Sequence, residues 1–163
     1  MTVRPRQAQR LRLVVAALVA VSGTGATACA RSGRGARAVA PADAGAASAA
    51  AAVEGFLSAA RVGDPRTMGF LFGTAAGPVA GRDAPADVEK RMRALACYLT
   101  HDSARIVDDL PAVAAGNRRL LTVALRQREL ARETRFTVVP TARGRWLVES
   151  FDIERLSDFC RPG

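Results

Sequence analysis

The chain has 163 residues, room for one domain and an N-terminal appendage, and a formal charge of +9 from 24 Lys+Arg against 15 Asp+Glu. Arg4, Arg6, Arg10 and Arg12 precede Cys29 with no acidic residue among them, and without these four the 24 basic residues fall to 20. So mild an excess, with aromatic residues at only 5%, argues against nucleic acid as a partner.

Residues 1–28 have the layout of a secretory signal. A basic stretch, "MTVRPRQAQRLR", leads into the apolar run Leu13 to Val21, and the small residues "SGTGATA" stand before Cys29. No Arg-Arg pair occurs there, which points to general secretion of an unfolded chain. An uncleaved membrane helix is the competing reading, because Leu13 to Ala30 carries no charge over 18 residues. Its second half is Ser, Gly, Thr and Ala, which gain little from hydrocarbon.

"ATAC" (Ala26 to Cys29) resembles the bacterial lipobox, with Ala26 where a Leu is usual. The resemblance implies that Cys29 becomes the first residue and carries acyl chains, two or more of which anchor stably. Membrane lipid is then a partner through Cys29, and the domain is exported to the periplasmic side of the cell envelope. Ala30 in place of Asp favours the outer membrane where there is one. Secretion with Cys29 left as a free thiol is the other reading. Residues 29–47, poor in large apolar side chains, are expected to form a flexible tether that buries no core.

The domain is expected over residues 48–163. Val53, Phe56, Leu57 and Ala60 fall at i, i+3, i+4, i+7, the stripe of an amphipathic helix that Gly63 would stop. Asp64-Pro65 supplies an N-cap and a first-turn proline for a second helix, about Pro65 to Phe72, burying Met68, Leu71 and Phe72. "GTAAGPVAGRDAP" reads as a loop, after which Val88, Met92, Leu95 and Leu99 mark a third helix. The period then changes to two. "ARIVDDL", "RRLLTVALRQ", "TRFTVVPT" and "RWLVESFDI" are expected strands, the last two joined through "ARG". Helices followed by an antiparallel meander predict an α+β fold, with the helices on one face of a curved sheet.

"VEGFLSAARVGDPRTMGFLF" resembles the opening helices of the nuclear transport factor 2-like (SnoaL-like) superfamily, and "FTVVPTARGRWLVESFDI" is similar to its closing hairpin, where a Trp packs inward. With "MGFLFGTAAGP" the chain also resembles a set of uncharacterised bacterial lipoproteins. The resemblance implies a cone-shaped domain. It does not choose a function, since the superfamily contains isomerases, dehydratases, ligand binders and proteins without chemistry.

With Cys29 acylated, Cys97 and Cys160 remain, and an oxidising compartment favours a disulfide between them over two separate thiols. Helical geometry turns Cys97 about 180° from Val88, so the bridge is expected to lay "LSDFC" along the outer side of the third helix. Closing a loop of that size is worth on the order of 4 kcal/mol.

The lone histidine, His101, stands beside Asp102, and a His/Asp general-base pair is conceivable. Adjacent side chains diverge on either a helix or a strand, so the competing reading has Thr100 to Ser103 ending the third helix and capping a connector. Alternation places Leu147, Glu149 and Phe151 on one face of the last strand and Trp146, Val148 and Ser150 on the other. Glu149 then sits either in a pocket or at a rim paired with an Arg. Asp108, Asp109 and Asp152 are further acidic candidates. Arg126, Arg128, Arg132 and Arg135, interleaved with Glu129 and Glu133, read as a solvated face. No metal or cofactor set is expected, and neither a phosphate-cradling glycine loop nor a G-x-S-x-G turn occurs.

The leading reading is therefore a non-catalytic binding or interaction domain for a small apolar ligand, an envelope protein or a second copy in a homodimer. The alternative is a small isomerase- or dehydratase-like enzyme using the cone interior, with His101 or an inward carboxylate as base.

Overall fold

The computed structural model describes residues 43–112 and 116–161. The expected leader and Cys29 lie outside the described residues. Helix α1 (Ala49–Val62) begins where Ser48 Oγ accepts the Ala51 amide at 3.1 Å. Its predicted stripe, Val53, Phe56, Leu57 and Ala60, is buried. Gly63 ends it in the left-handed conformation (φ 69°), and its N–H turns back to the Ala59 and Ala60 carbonyls.

Helix α2 (Pro65–Leu71) is capped by Asp64, whose carboxylate accepts the Thr67 amide at 3.0 Å and the Thr67 hydroxyl at 2.6 Å. The hydroxyl bond is the larger reason that the Asp64 carboxyl titrates below its ordinary value. Met68 is buried, whereas Leu71 and Phe72 are half-buried against the core. The expected loop contains short structure: β1 (Gly73–Thr74) pairs with β2 (Gly77–Pro78), and a 3-10 turn covers Val79–Gly81. Helix α3 (Pro85–Tyr98) buries Val88 and Met92 and hands over to buried Leu99. Helices α2 and α3 approach closely at Gly69, where a Cβ would come within 2.6 Å of Val88 Cγ1.

Four strands follow as an antiparallel meander in chain order: β3 (Ser103–Pro111), β4 (Arg119–Gln127), β5 (Leu130–Pro140) and β6 (Trp146–Phe151). The fold is α+β, as the change of period predicts. Leu121, Val123 and Leu125 of β4 and Thr134, Phe136 and Val138 of β5 are buried on the face that meets the helices. Thr134 satisfies its buried hydroxyl by donating to Asp152 O at 2.9 Å. Four rings then link the layers: Phe72 stacks on Phe56, Phe56 meets Phe151, and Phe151 stacks on Phe136, with centroids 5.6, 6.4 and 5.3 Å apart. Full burial of a Phe such as Phe56 or Phe136 contributes roughly 1.5–3 kcal/mol.

Three expectations need correction. Simple alternation puts Phe151 opposite Val148, yet Phe151 packs against the core cluster to which Val148 belongs. The register explains it: Phe136 pairs with Phe151 and Val138 with Val148, so β6 has one residue too many. Glu149 lies in this bulge, which returns Phe151 to the inner face. Trp146 packs against the core, on the same side as Val148.

The second correction concerns the C-terminus. The 3-10 helix Glu154–Cys160 packs against both α3 and β5 and buries Leu156 and Phe159 in the main core. The segment lies along α3 at Cys97 as expected, but it covers that side, and Cys97 is half-buried like the rest of the last turn from Leu95 to Tyr98. Cys97 and Cys160 form a disulfide there, with Cα atoms 5.0 Å apart.

Third, the fold begins before Ser48. Ala46 exchanges two backbone hydrogen bonds with Trp146, at 2.9 and 2.8 Å, and the Arg145 guanidinium donates to Gly45 O at 2.6 Å. The end of the expected tether is thus tied to the sheet.

Candidate functional site

The three side chains singled out for chemistry go to three different places. His101 follows Leu99 in the connector between α3 and β3, and only 7% of it is exposed. Its Nδ1 lies 2.7 Å from Leu99 O. A carbonyl can only accept, so Nδ1 carries the proton and Nε2 of the neutral ring is an acceptor. Nε2 makes no hydrogen bond among the described residues.

Asp102 points elsewhere. Its carboxylate accepts the Arg128 amide at 2.7 Å, and its own N–H donates to Arg126 O at 2.7 Å. Arg128 sits in the two-residue turn between β4 and β5 with φ 51°, a conformation costly for a side chain with a Cβ. Asp102 therefore braces that turn and makes no bond to His101.

Glu149 is held at the β6 bulge by Arg118 in a two-pronged pair, Nη2 to Oε1 at 2.9 Å and Nε to Oε2. The hydrogen bonds to Arg118 are the main reason its carboxyl titrates below the ordinary 4.5, against a smaller opposing effect of burial. Arg118 shifts upward in the matching direction. Asp109 pairs with Arg119 at 2.6 Å and Asp152 with Arg155 at 2.9 Å, while Asp108 accepts the Asp109 amide. In the arginine-rich hairpin, Arg132 reaches Asp158 at 2.8 Å and ties β5 to the C-terminal 3-10 helix.

His101 opens on a cavity. A half-open cleft of about 490 Å³ lies between α1 and the free edge of β3. One wall is the α1 face Glu54, Leu57, Ser58 and Arg61, at i, i+3, i+4 and i+7. The opposite wall is Ser103 to Ile106 at the start of β3, and Leu57, His101 and Val123 are the buried residues of the lining. Arg61 and Arg105 enter no ion pair among the described residues, and neither does Glu54. The cleft therefore brings together two guanidiniums without an ion pair among the described residues, one carboxylate, two hydroxyls and an imidazole beside apolar Leu57, Ile106 and Val123. Mixed lining of this kind suits reversible binding of a small molecule.

Glu54, Ser58 and Arg61 were not among the candidates read from the sequence. A polar stripe on an amphipathic helix has the pattern of a solvated face; only the position of the β3 edge turns it into a wall. A second cavity of about 460 Å³, between α2 and α3, is lined by Phe70, Ala80, Pro85 and Val88 with exposed Arg66, Glu89 and Arg93. It contains no buried polar group among its lining residues.

Among the described residues no cluster of His, Cys, Asp or Glu could hold a metal ion, and no helix is long and apolar enough to cross a membrane. No family model, no curated protein and no solved structure matches the chain.

Proposed function

We propose that this protein is an exported, lipid-anchored binding domain that takes its ligand in the α1–β3 cleft. Cys29, at the lipobox-like "ATAC", carries the anchor, and the residues up to Gly45 form the link to the domain. Helices seated on an antiparallel meander, with Trp146 turned toward the core, support the nuclear transport factor 2-like cone.

The observation that carries the reading is the Cys97–Cys160 disulfide. It joins two elements of the main core, and such a structural crosslink belongs to an oxidising compartment of the kind a leader at residues 1–28 would reach. Binding is favoured over turnover because Asp102 and Glu149 are both committed to structural partners. One observation speaks for an enzyme: His101 shares its cleft with the Glu54 carboxylate.

Cell fractionation of the wild-type chain beside Cys29→Ala tests the anchor. Wild type is expected in the membrane fraction and released by detergent, with the variant unprocessed or soluble. Equal distribution of the two would overturn the anchored reading.

A further inference from the structure

We infer that the α1–β3 cleft selects a small monocarboxylic acid with an apolar body. The inference rests on the binding reading above and specifies the ligand class of the same site. Charge is the first ground. Arg61 and Arg105 stand in the lining and enter no ion pair among the described residues, and Glu54 supplies one negative charge. The two guanidiniums and the one carboxylate sum to +1, which a single ligand carboxylate balances. A guanidinium offers a planar pair of donors that matches a carboxylate, which is why arginines collect where carboxylates are recognised. Glu54 opposes a second negative charge, so a phosphate dianion fits the lining less well.

Shape is the second ground. Leu57, Val123 and half-buried Ile106 give the lining an apolar surface for the body of the acid. The volume of about 490 Å³ accommodates a ring or a short branched chain. His101 also lines the cleft, and its Nε2, like the hydroxyls of Ser58 and Ser103, makes no hydrogen bond among the described residues. A hydroxyl or amide on the acid would find partners there. A wholly neutral apolar ligand would leave both guanidiniums unanswered.

His101 is the single histidine, so a chain labelled with carbon-13 histidine gives one ring signal from the lining of the cleft. The test follows this signal in the full-length protein in lipid nanodiscs at fixed pH, against benzoate, neutral benzyl alcohol and phenylphosphonate. Benzoate is expected to shift it saturably, with a Kd at least tenfold below that of benzyl alcohol and severalfold below that of phenylphosphonate. Arg61→Gln and Arg105→Gln, both at exposed positions, are each expected to raise the benzoate Kd fivefold or more. Benzyl alcohol binding as tightly as benzoate would overturn the anion class and leave the cleft a binding site. Tighter phenylphosphonate, or variants with unchanged Kd, would overturn the single-charge argument. No saturable shift from any probe would overturn both this inference and the placement of binding in the cleft.

Discussion

The two edges of the four-stranded sheet are treated in opposite ways. On the β6 side the edge is tied: Ala46 bridges Trp146 antiparallel and Phe72 bridges Val148 parallel. The strand so covered is apolar, and an open edge made of Trp146, Leu147 and Val148 would be a template for unwanted pairing. On the β3 side no strand among the described residues covers the edge. That strand instead has exposed Ser103, Arg105, Asp108 and Asp109 and a bulge between Ile106 and Asp108, devices that discourage pairing. Because β3 needs no cover, space remains beside α1, and the cleft occupies it. One edge is covered, and the other is left open beside the cleft.

Mutations can break this contrast. The largest expected effect sits outside it and serves as a control. Cys97→Ser with Cys160→Ser should cost about 4 kcal/mol in denaturant unfolding, through freedom returned to the unfolded chain across 63 residues. It should leave ligand affinity at the cleft within twofold. At the tied edge, Trp146→Ala should cost roughly 3 kcal/mol and speed backbone amide exchange in β5 and β6 before β3. At the open edge, Arg105→Gln should change stability by less than about 0.5 kcal/mol, the usual range for a surface site. A stability loss at Arg105 as large as that at Trp146 would erase the distinction between the edges.

Intermediate effects belong to two acidic residues. Asp102→Ala should cost about 1 kcal/mol by leaving the strained Arg128 turn without its brace, read as a lower denaturant midpoint. Glu149→Gln should cost about 1 kcal/mol at neutral pH, with a pH dependence of defined sign. The folded-state pKa of Glu149 lies below its ordinary 4.5 because of Arg118. The contribution of the pair is therefore complete above that value and disappears as pH falls through the folded pKa. The wild-type advantage over Glu149→Gln should stay constant above pH 4.5 and shrink in stronger acid. A difference that grows on acidification would contradict the assigned pair.

Much of the fold was legible from spacing. The stripe of α1, the Asp64 cap, the apolar face at Val88 and Met92 and the change to period two each follow from local rules, and the structure uses them so. What local rules miss is set by tertiary partners. Glu149 looks like one more alternating residue until the β5 register makes it a bulge. Leu156 and Phe159 lie in seven residues too short and too polar to show a buried stripe, yet a disulfide and two packed elements draw them into the core. The site divides similarly. His101 was visible as the lone histidine, but its proposed carboxylate Asp102 faces a turn. The carboxylate that does share its cleft, Glu54, comes from α1, 47 positions earlier in the chain.

Export, anchoring and disulfide closure are tested together, and most directly, by the intact mass of the chain extracted from membranes without reductant. The expected mass is that of a chain starting at Cys29, increased by a diacylglyceryl group and short of the two hydrogens lost in the Cys97–Cys160 disulfide. A mass corresponding to an unprocessed or unacylated chain, or to free thiols at both cysteines, would contradict it.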